Sequence, residues 1–203
     1  MEIDPQSMTI PDRYHLLIGL VTPRPIAWVT TRSPAGVVNL APFSFFNVFG
    51  ANPPTVVFSP ALRRDGSKKD TLRNLESHPE FVIHLVTPEL AEKANMSSRE
   101  LPPEESEVDL TGVTTAASVK VSVPRVIDSP VQMECRVRQI VPCGTGPLAP
   151  NLIIGEVVYL HLAEGILDEH GRVDPHKLVT VARLGGEYWA RTTDLFKLTR
   201  QIT

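Results

Sequence analysis

Residues 23–59 read PRPIAWVTTRSPAGVVNLAPFSFFNVFGANPPTVVFS. Within them, the segments 26–31, 37–40 and 55–59 are rich in β-branched and aromatic residues, which predicts three strands. The intervening Ser33-Pro34-Ala35-Gly36 consists of residues that are typical of a tight turn. The stretch therefore predicts a strand, a turn, a second strand and a third, with small hydroxyl and amide side chains at the strand ends.

The rest of the chain continues the β pattern. Further strands are predicted at 81–86, 119–123, 131–138, 152–162 and 179–184. Two helices are predicted, 71–77 with Asp70 as its N-cap and 89–96 after Thr87 and Pro88. The absence of regular strand–helix alternation favours a mainly β, antiparallel barrel or sandwich with a few helices packed outside, in a single domain over 1–203.

The composition argues against several classes of protein. With 42% hydrophobic residues, the 203-residue chain can form a full core. A net charge of −3 argues against a nucleic-acid surface, and no apolar run is long enough to span a membrane. No signal peptide is visible, so we expect a cytoplasmic protein. Cys135 and Cys143 match no zinc or redox spacing, and we expect reduced thiols and no metal site.

The strand ends of residues 23–59 could line a slot for a flat ring. Trp28 and Val29 could supply an apolar floor, and Ala41-Pro42 could bring the backbone close to a ligand without bulk. Short polar side chains around such a slot are Thr30, Thr31, Asn39, Ser44 and Ser59. The alternative is that these residues are ordinary caps of strand ends.

A basic segment follows the third strand and could bind a phosphate. Lys69 offers a cation, while Asp70-Thr71 at a helix start offers a hydroxyl and free backbone N–H groups. Arg63 or Arg64 could assist. A flavin mononucleotide combines a flat ring with a phosphate, and would suit the two sites together. The alternative for this segment is a solvated basic loop.

Other catalytic and binding motifs are weak in this chain. Gly144-Thr145-Gly146-Pro147 follows no clear strand-to-helix turn, so a dinucleotide-binding Rossmann site is not expected. The histidines form no metal-binding pair, and no serine lies in a GxSxG turn. The acidic run Glu104-Glu105-Ser106-Glu107 is expected to be solvated, within a segment 101–109 that forms an exposed loop or a loose helix.

Several linked motifs, in order, make the chain similar to the flavin reductase-like, FMN-binding split-barrel family, which includes flavoredoxins and flavin reductase components. The family pattern PRPxAWVTT–G–xNLAPxSxF–PP–S–KDTLxNL is matched between Pro23 and Leu75. The second half resembles the family at Ser129-Pro130, at Gly155-Glu156-Val157 and at the ending RLGGEY, 183–188. One departure is His84, where relatives often carry a small amide.

The resemblance implies a fold, a cofactor and a set of site residues. The fold is an antiparallel Greek-key split β-barrel, and the cofactor is FMN held near the subunit interface of a homodimer. The residues that it implies for FMN are Trp28, Val29, Thr30, Thr31, Asn39, Leu40 and Ala41 for the ring and ribityl chain, with Ser44 close to the same ligand, and Ser59, Lys69 and Thr71 for the phosphate. Candidates for the side where a nicotinamide docks are Tyr188, Arg191 and His161, although a lone strand histidine is more often structural.

Three functions are compatible with this sequence. The first is an NAD(P)H:flavin oxidoreductase, in which NADH or NADPH gives a hydride to flavin N5, no side chain acts as acid or base, and reduced flavin could serve a partner monooxygenase. The second is a flavoredoxin-like FMN electron carrier that is reduced by a protein partner. The third, a binding module without a cofactor, fits the flavin motif poorly.

Overall fold

The computed structural model describes residues 1–199 and Gln201. In these residues the chain forms twelve strands and four α-helices, with short 3₁₀ helices at Pro5–Ser7 and Pro88–Leu90. The strands are β1 (Arg24–Pro25), β2 (Ala27–Arg32), β3 (Val38–Phe43), β4 (Phe46–Ala51), β5 (Pro54–Phe58), β6 (Glu80–Leu85), β7 (Thr115–Ala116), β8 (Arg125–Val126), β9 (Val131–Pro142), β10 (Asn151–Leu162), β11 (Val181–Arg183) and β12 (Trp189–Arg191). The helices are α1 (Ile10–Leu20), α2 (Asp70–Ser77), α3 (Ala91–Met96) and α4 (Glu107–Thr111). Of the helices described, none is long and apolar enough to cross a bilayer.

Seven strands form one antiparallel sheet in the order β3-β2-β6-β9-β10-β5-β4. The terminal strands β3 and β4 follow each other in the chain, but in the described residues they are not hydrogen-bonded neighbours. The sheet is therefore a barrel with an open seam. The predicted fold class, a mainly β antiparallel split barrel with a few peripheral helices, is confirmed.

Strand β2 is buried on both faces, and its alternate residues enter two different cores. Ala27 and Val29 belong to the interior of the barrel, together with Phe58 and Phe81. The remaining members of that core are Phe43, Val56, Leu72, Leu75, Ile83, Cys135 and Ile153. Trp28 lies on the opposite face in a second core, which joins the sheet to the peripheral elements. The members that surround it are Ile26, Leu40, Val86, Leu90, Ala94, Val113, Val126 and Val181.

One row of paired residues crosses the outer face of the sheet. It runs through Pro42, Trp28, His84, Gln132 and His161, on β3, β2, β6, β9 and β10 in turn. Residues directly opposite each other in an antiparallel sheet point to the same face. The row therefore places Trp28 and His161 on one surface, separated by three steps between strands.

The predicted strand 119–123 is wrong, because this segment is a series of bends. Its backbone N–H groups do not join a ladder; those of Val119, Lys120 and Val121 donate to the carboxylate of Glu134, at 2.7, 2.6 and 3.2 Å. A buried carboxylate thus replaces the strand partner that the valine alternation suggested. Both Val121 and Val123 are nevertheless buried.

Two helix starts differ from the sequence predictions. The N-cap of α2 is Lys69 and not Asp70, which is the first helical residue and whose carboxylate pairs with Arg63 and Arg73. Helix α1 was not predicted, and Ile18 is its one buried residue. Its start follows capping rules, since the Thr9 hydroxyl accepts a hydrogen bond from the Asp12 N–H.

The arginine of the PRP motif joins the end of α1 to the turn before β12. The guanidinium of Arg24, which is 5% exposed, donates to the carbonyl oxygens of Ile18, Val21 and Leu184. At the same junction, a Cβ added to Gly185 would lie 3.0 Å from the Cα of Gly19. The glycine allows the turn before β12 to pack directly against the backbone of α1.

Candidate functional site

A cleft of about 70 Å³ opens beside β3, at the edge of the sheet. One wall is β3 itself, at Asn39 and Ala41, and a second is the start of α2, at Lys69 and Thr71. The segment 97–101 after α3, together with Glu107, completes the lining. The structure thus brings four of the predicted cofactor residues into one cleft.

Lys69 is a partly buried cation without a counter-ion. No carboxylate of the described residues forms an ion pair with it, although Arg63 beside it pairs with Asp70 at 2.6 Å. The pKa of Lys69 is lowered, chiefly by burial; the Glu100 carboxylate opposes this effect and the Arg63 guanidinium adds to it. Burying a charge is costly unless the charge is paired, so this ammonium lacks an anionic partner.

The start of α2 adds neutral donors to this cation. Lys69, its N-cap, makes no side-chain capping bond, so the first N–H groups of the helix have no side-chain acceptor from the cap. The Thr71 hydroxyl accepts a hydrogen bond of 3.1 Å from the Asn39 amide, which joins the two walls of the cleft. A helix start of this kind attracts anions.

Five predicted residues are buried in the sheet. Trp28, Val29, Thr30, Thr31 and Leu40 all have side chains with no exposed surface. Trp28 Nε1 donates to Ser97 Oγ at 2.8 Å, and the Thr30 hydroxyl donates to the Pro124 carbonyl at 2.8 Å. The Thr31 hydroxyl accepts from the Asn74 amide at 3.1 Å. The polar groups of these three side chains therefore already have partners within the protein.

The two predicted serines lie outside the cleft lining. Ser44, in the corner between β3 and β4, is 3.4 Å from Arg24 Nε, which donates to its hydroxyl. Ser59 follows β5, and its hydroxyl is buried without a hydrogen-bond partner. No other buried side-chain nitrogen or oxygen in the described part of the chain is left in that state. Such groups are rare and need an explanation.

The three nicotinamide-side candidates are spread over the molecule. His161 lies four strand spacings from β3, which is roughly 19 Å along the sheet. Its Nε2 donates to Glu134 at 2.6 Å, and it lines a separate groove of about 530 Å³ with Arg125 and Tyr159. In the separate three-stranded sheet, Tyr188 is 77% exposed in the turn before β12, and Arg191 ends that strand.

His84 is a fully buried histidine whose two ring nitrogens are both satisfied. Its Nδ1 donates to the Trp28 carbonyl at 2.8 Å, and its Nε2 accepts from the Val126 N–H at 2.9 Å. This pattern requires the neutral ring, and burial lowers the pKa of His84 to about 4. The residue joins β8 to the sheet.

Sequence reasoning missed the wall formed by 97–101 and Glu107. The run 104–107 was expected to be solvated, but Glu107 is only 7% exposed, and its Oε2 accepts a hydrogen bond of 2.8 Å from the Leu40 N–H. The pKa of Glu107 is raised, chiefly by burial; the Leu40 hydrogen bond opposes this and the Asp70 carboxylate adds to it. The available signal was Ser106, a good N-cap directly before a short apolar periodicity.

Comparisons with known proteins agree with this architecture. A model of the flavin reductase like domain matches residues 19–180. An uncharacterized protein of Halalkalibacterium halodurans is 44% identical, with 98% of this chain and 96% of that protein covered. Nitrilotriacetate monooxygenase component B from Bacillus cereus is 38% identical with a TM-score of 0.92, and 98% of each chain is covered.

A 2-nitrobenzoate 2-nitroreductase from Pseudomonas fluorescens is 32% identical with a TM-score of 0.89, and 99% of this chain and 96% of that chain are covered. Both solved structures therefore match this chain over nearly its whole length. The family model alone covers residues 19–180, well over half of the sequence. The chain belongs to the flavin reductase like domain family.

Proposed function

We propose that this protein is an FMN-binding oxidoreductase that transfers a hydride from NADH or NADPH to flavin. The observation that carries the proposal is Lys69, a partly buried cation with no counter-ion among the described residues, next to the uncapped start of α2. A phosphate would neutralise the ammonium and accept the free N–H groups together.

The residues at this end of the barrel fit a phosphomonoester. Lys69 supplies charge, Thr71 a hydroxyl, and Arg63 a second cation on the cleft lining. Ser59, which follows β5 and lies outside the cleft lining, has a buried hydroxyl without a partner in the described chain, and in this proposal an oxygen of the same ligand would satisfy it. Cations, hydroxyls and helix N–H groups are the donor types that phosphate prefers.

The β3 wall fits the flat part of the same ligand. Ala41 and Pro42 present little bulk, and Asn39 is fixed by its bond to Thr71. In this proposal five of the predicted residues stabilise the sheet next to the site and do not contact the ligand with their side chains, because these side chains are buried. They are Trp28, Val29, Thr30, Thr31 and Leu40. Contact with the ring would come from Asn39, Ala41 and the backbone between them.

Bound flavin would supply the redox chemistry, accepting a hydride at N5. The protein would hold the flavin and leave one ring face open to a nicotinamide. For that face, Tyr188 and Arg191 remain the better candidates, because Trp189 between them packs against the core that contains Trp28 and Leu40. His161 of the same chain is too far along the sheet to reach the β3 cleft.

An exposed apolar surface supports the proposal of a homodimer. On α1, Tyr14, Leu17 and Leu20 are exposed, and on β4 Val48 and Phe49 are 63% and 75% exposed. Tyr14 packs edge-on against Phe45 at 6.2 Å, which makes the two elements neighbours. Apolar patches of this kind mark interfaces. Sedimentation of the purified protein at twice the mass of 22.4 kDa would support the dimer.

An anaerobic titration tests the function. Purified protein with FMN should acquire the visible absorbance of bound flavin, and NADH or NADPH should then bleach it rapidly. The resemblance to a monooxygenase component B supports an enzyme that passes reduced flavin onward. Bound flavin that neither nucleotide reduces would instead favour the electron carrier, and failure to bind FMN would overturn both.

A further inference from the structure

Glu107 holds a fixed position in the wall of the cleft. It is the first residue of α4, whose N-cap Ser106 donates its hydroxyl to the Val38 carbonyl at 2.6 Å. Two residues further along β3, the Leu40 N–H donates to Glu107 Oε2 at 2.8 Å. Both contacts tie the helix start to β3, so the carboxylate is oriented before any ligand binds.

Only one oxygen of the Glu107 carboxylate accepts a hydrogen bond from another residue of the described chain. Oε2 accepts from Leu40, whereas Oε1 accepts no hydrogen bond from another residue of the described chain. No lysine, arginine or histidine of residues 1–199 forms an ion pair with Glu107, and its charged neighbour Asp70 is also acidic. The cleft lining therefore contains a carboxylate oxygen that receives no hydrogen bond from another residue of the described chain, on a side chain whose other oxygen is already fixed.

The charges in the cleft determine which part of a ligand can meet this oxygen. A phosphate would bind next to the cations Lys69 and Arg63. The Glu107 carboxylate would repel it, because both groups are negatively charged. The donor must come from another part of the same ligand. If the proposed function holds, the oxidised flavin ring has a single N–H group, at N3, while the ribityl chain has only hydroxyls. Ala41 and Pro42, beside Leu40, provide the flat surface that the ring needs.

We propose that Glu107 is the residue that orients the pyrimidine edge of the flavin, by accepting the N3–H with Oε1 while Oε2 stays bound to the Leu40 N–H. The inference rests on the proposed function and adds a specificity role to it. Glu107 would favour rings that carry an N–H at this edge.

The test compares two flavins and three proteins. The probes are FMN and FMN methylated at N3, and their dissociation constants are measured from the quenching of flavin fluorescence. Glu107→Gln keeps an oxygen for the Leu40 N–H but replaces the free acceptor with an NH₂ group. Glu104→Gln is the matched control, because it removes the same charge from an exposed position outside the cleft lining. Thermal unfolding of each variant confirms that it is folded.

We expect Glu107→Gln to weaken FMN by about tenfold or more, and Glu104→Gln by less than about twofold, as for a hydrogen bond to a charged group. The methylated flavin should bind the wild-type protein about tenfold more weakly than FMN and should be insensitive to Glu107→Gln.

Equal affinity of the wild-type protein for the two flavins would overturn the assignment without depending on any variant. An equal loss of both flavins in Glu107→Gln would also overturn it and would place the carboxylate on the ribityl hydroxyls. If wild-type protein binds neither flavin, the proposed function itself fails, and this inference fails with it.

Discussion

Two groups of polar residues differ in how many of their polar atoms have a hydrogen-bond partner within the protein. On the central strands β6 and β9, both ring nitrogens of His84 and both carboxylate oxygens of Glu134 have hydrogen-bond partners. In the cleft beside β3, Lys69 and Glu107 Oε1 have no such partner in the described chain, and neither does Ser59 Oγ after β5. The first group specifies the fold, whereas in the proposed function a ligand completes the second. Substitutions should therefore separate stability from flavin binding.

The largest effect is expected at Glu134. Its carboxylate has no exposed surface and accepts from three backbone N–H groups and from His161. Glu134→Ala should lower the free energy of unfolding by about 3–5 kcal/mol, because it removes a fully buried carboxylate and leaves four donors, one buried and three partly buried, without their acceptor. Urea unfolding measures the loss. The control is Glu156→Ala, which breaks a surface ion pair with Arg138 and should cost less than about 1 kcal/mol. Equal losses would contradict the assigned role.

His84 should give the next largest effect, and one that depends on pH. The folded pKa of about 4 lies below the ordinary 6.5, so the unfolded chain takes up the proton first as the pH falls. The contribution of the neutral ring to the free energy of unfolding is fully present above pH 6.5. As the pH falls to 4, about 3 kcal/mol of this contribution is lost.

Two variants measure this contribution. His84→Ala should cost about 2–4 kcal/mol above pH 6.5, because Trp28 O and Val126 N–H lose their partner and a cavity forms. His84→Asn should cost less and should remove the slope between pH 6.5 and pH 4. An unchanged slope in His84→Asn, seen in urea unfolding at several pH values, would assign the acid sensitivity to another group.

Lys69 should give the opposite pattern, with a change in binding and little change in stability. Lys69→Ala should weaken FMN by about 1.5–3 kcal/mol through the loss of a charge-assisted contact. Its neighbour Lys68 is the matched control, because it is half-exposed and paired with Glu76 at 2.8 Å. Calorimetric titration compares the two variants. The same affinity in both would remove Lys69 from the phosphate site.

The smallest effect, and the most specific, is expected at Ser59. Ser59→Ala removes a buried hydroxyl without a partner, so the free protein should be as stable as before or slightly more stable. FMN affinity should nevertheless fall by about 1 kcal/mol, the usual size of one hydrogen bond. Thermal unfolding without FMN measures the stability of the free protein, and thermal unfolding with FMN measures the change in FMN affinity. A loss of stability without flavin would show that the hydroxyl has a structural role.

The sequence predicted the strands well where their composition and alternation were regular. The segments 131–138 and 152–162 lie within β9 and β10, and 81–86 covers most of β6. The segment 119–123 alternates as regularly, but three of its N–H groups donate to the carboxylate of Glu134, which lies 13 to 15 positions further along the chain. Local pattern carries no information about such a partner.

The candidate site was harder to predict, because strand parity decides which side chains are available. Trp28 and Val29 are neighbours, yet they enter different cores, and both are fully buried. Position in the sheet matters as well: Thr31 and Asn39 are paired across β2 and β3 and share a face, but only Asn39, on the edge strand, lines the cleft. Helix α1 was missed because its apolar residues do not follow one buried stripe; Ile10, Tyr14 and Leu20 are all exposed.

Arg24 joins carbonyl groups that are far apart in the chain, because Leu184 lies 160 positions after Arg24. Closing such a long loop is entropically costly, so these contacts should form after the barrel has assembled. In native-state hydrogen exchange, α1 and the β11–β12 hairpin should open together as one cooperative unit at a lower free energy than the barrel. We therefore expect the Arg24 guanidinium to couple α1 and the β11–β12 hairpin, so that both unfold locally together while the sheet beside the cleft stays folded.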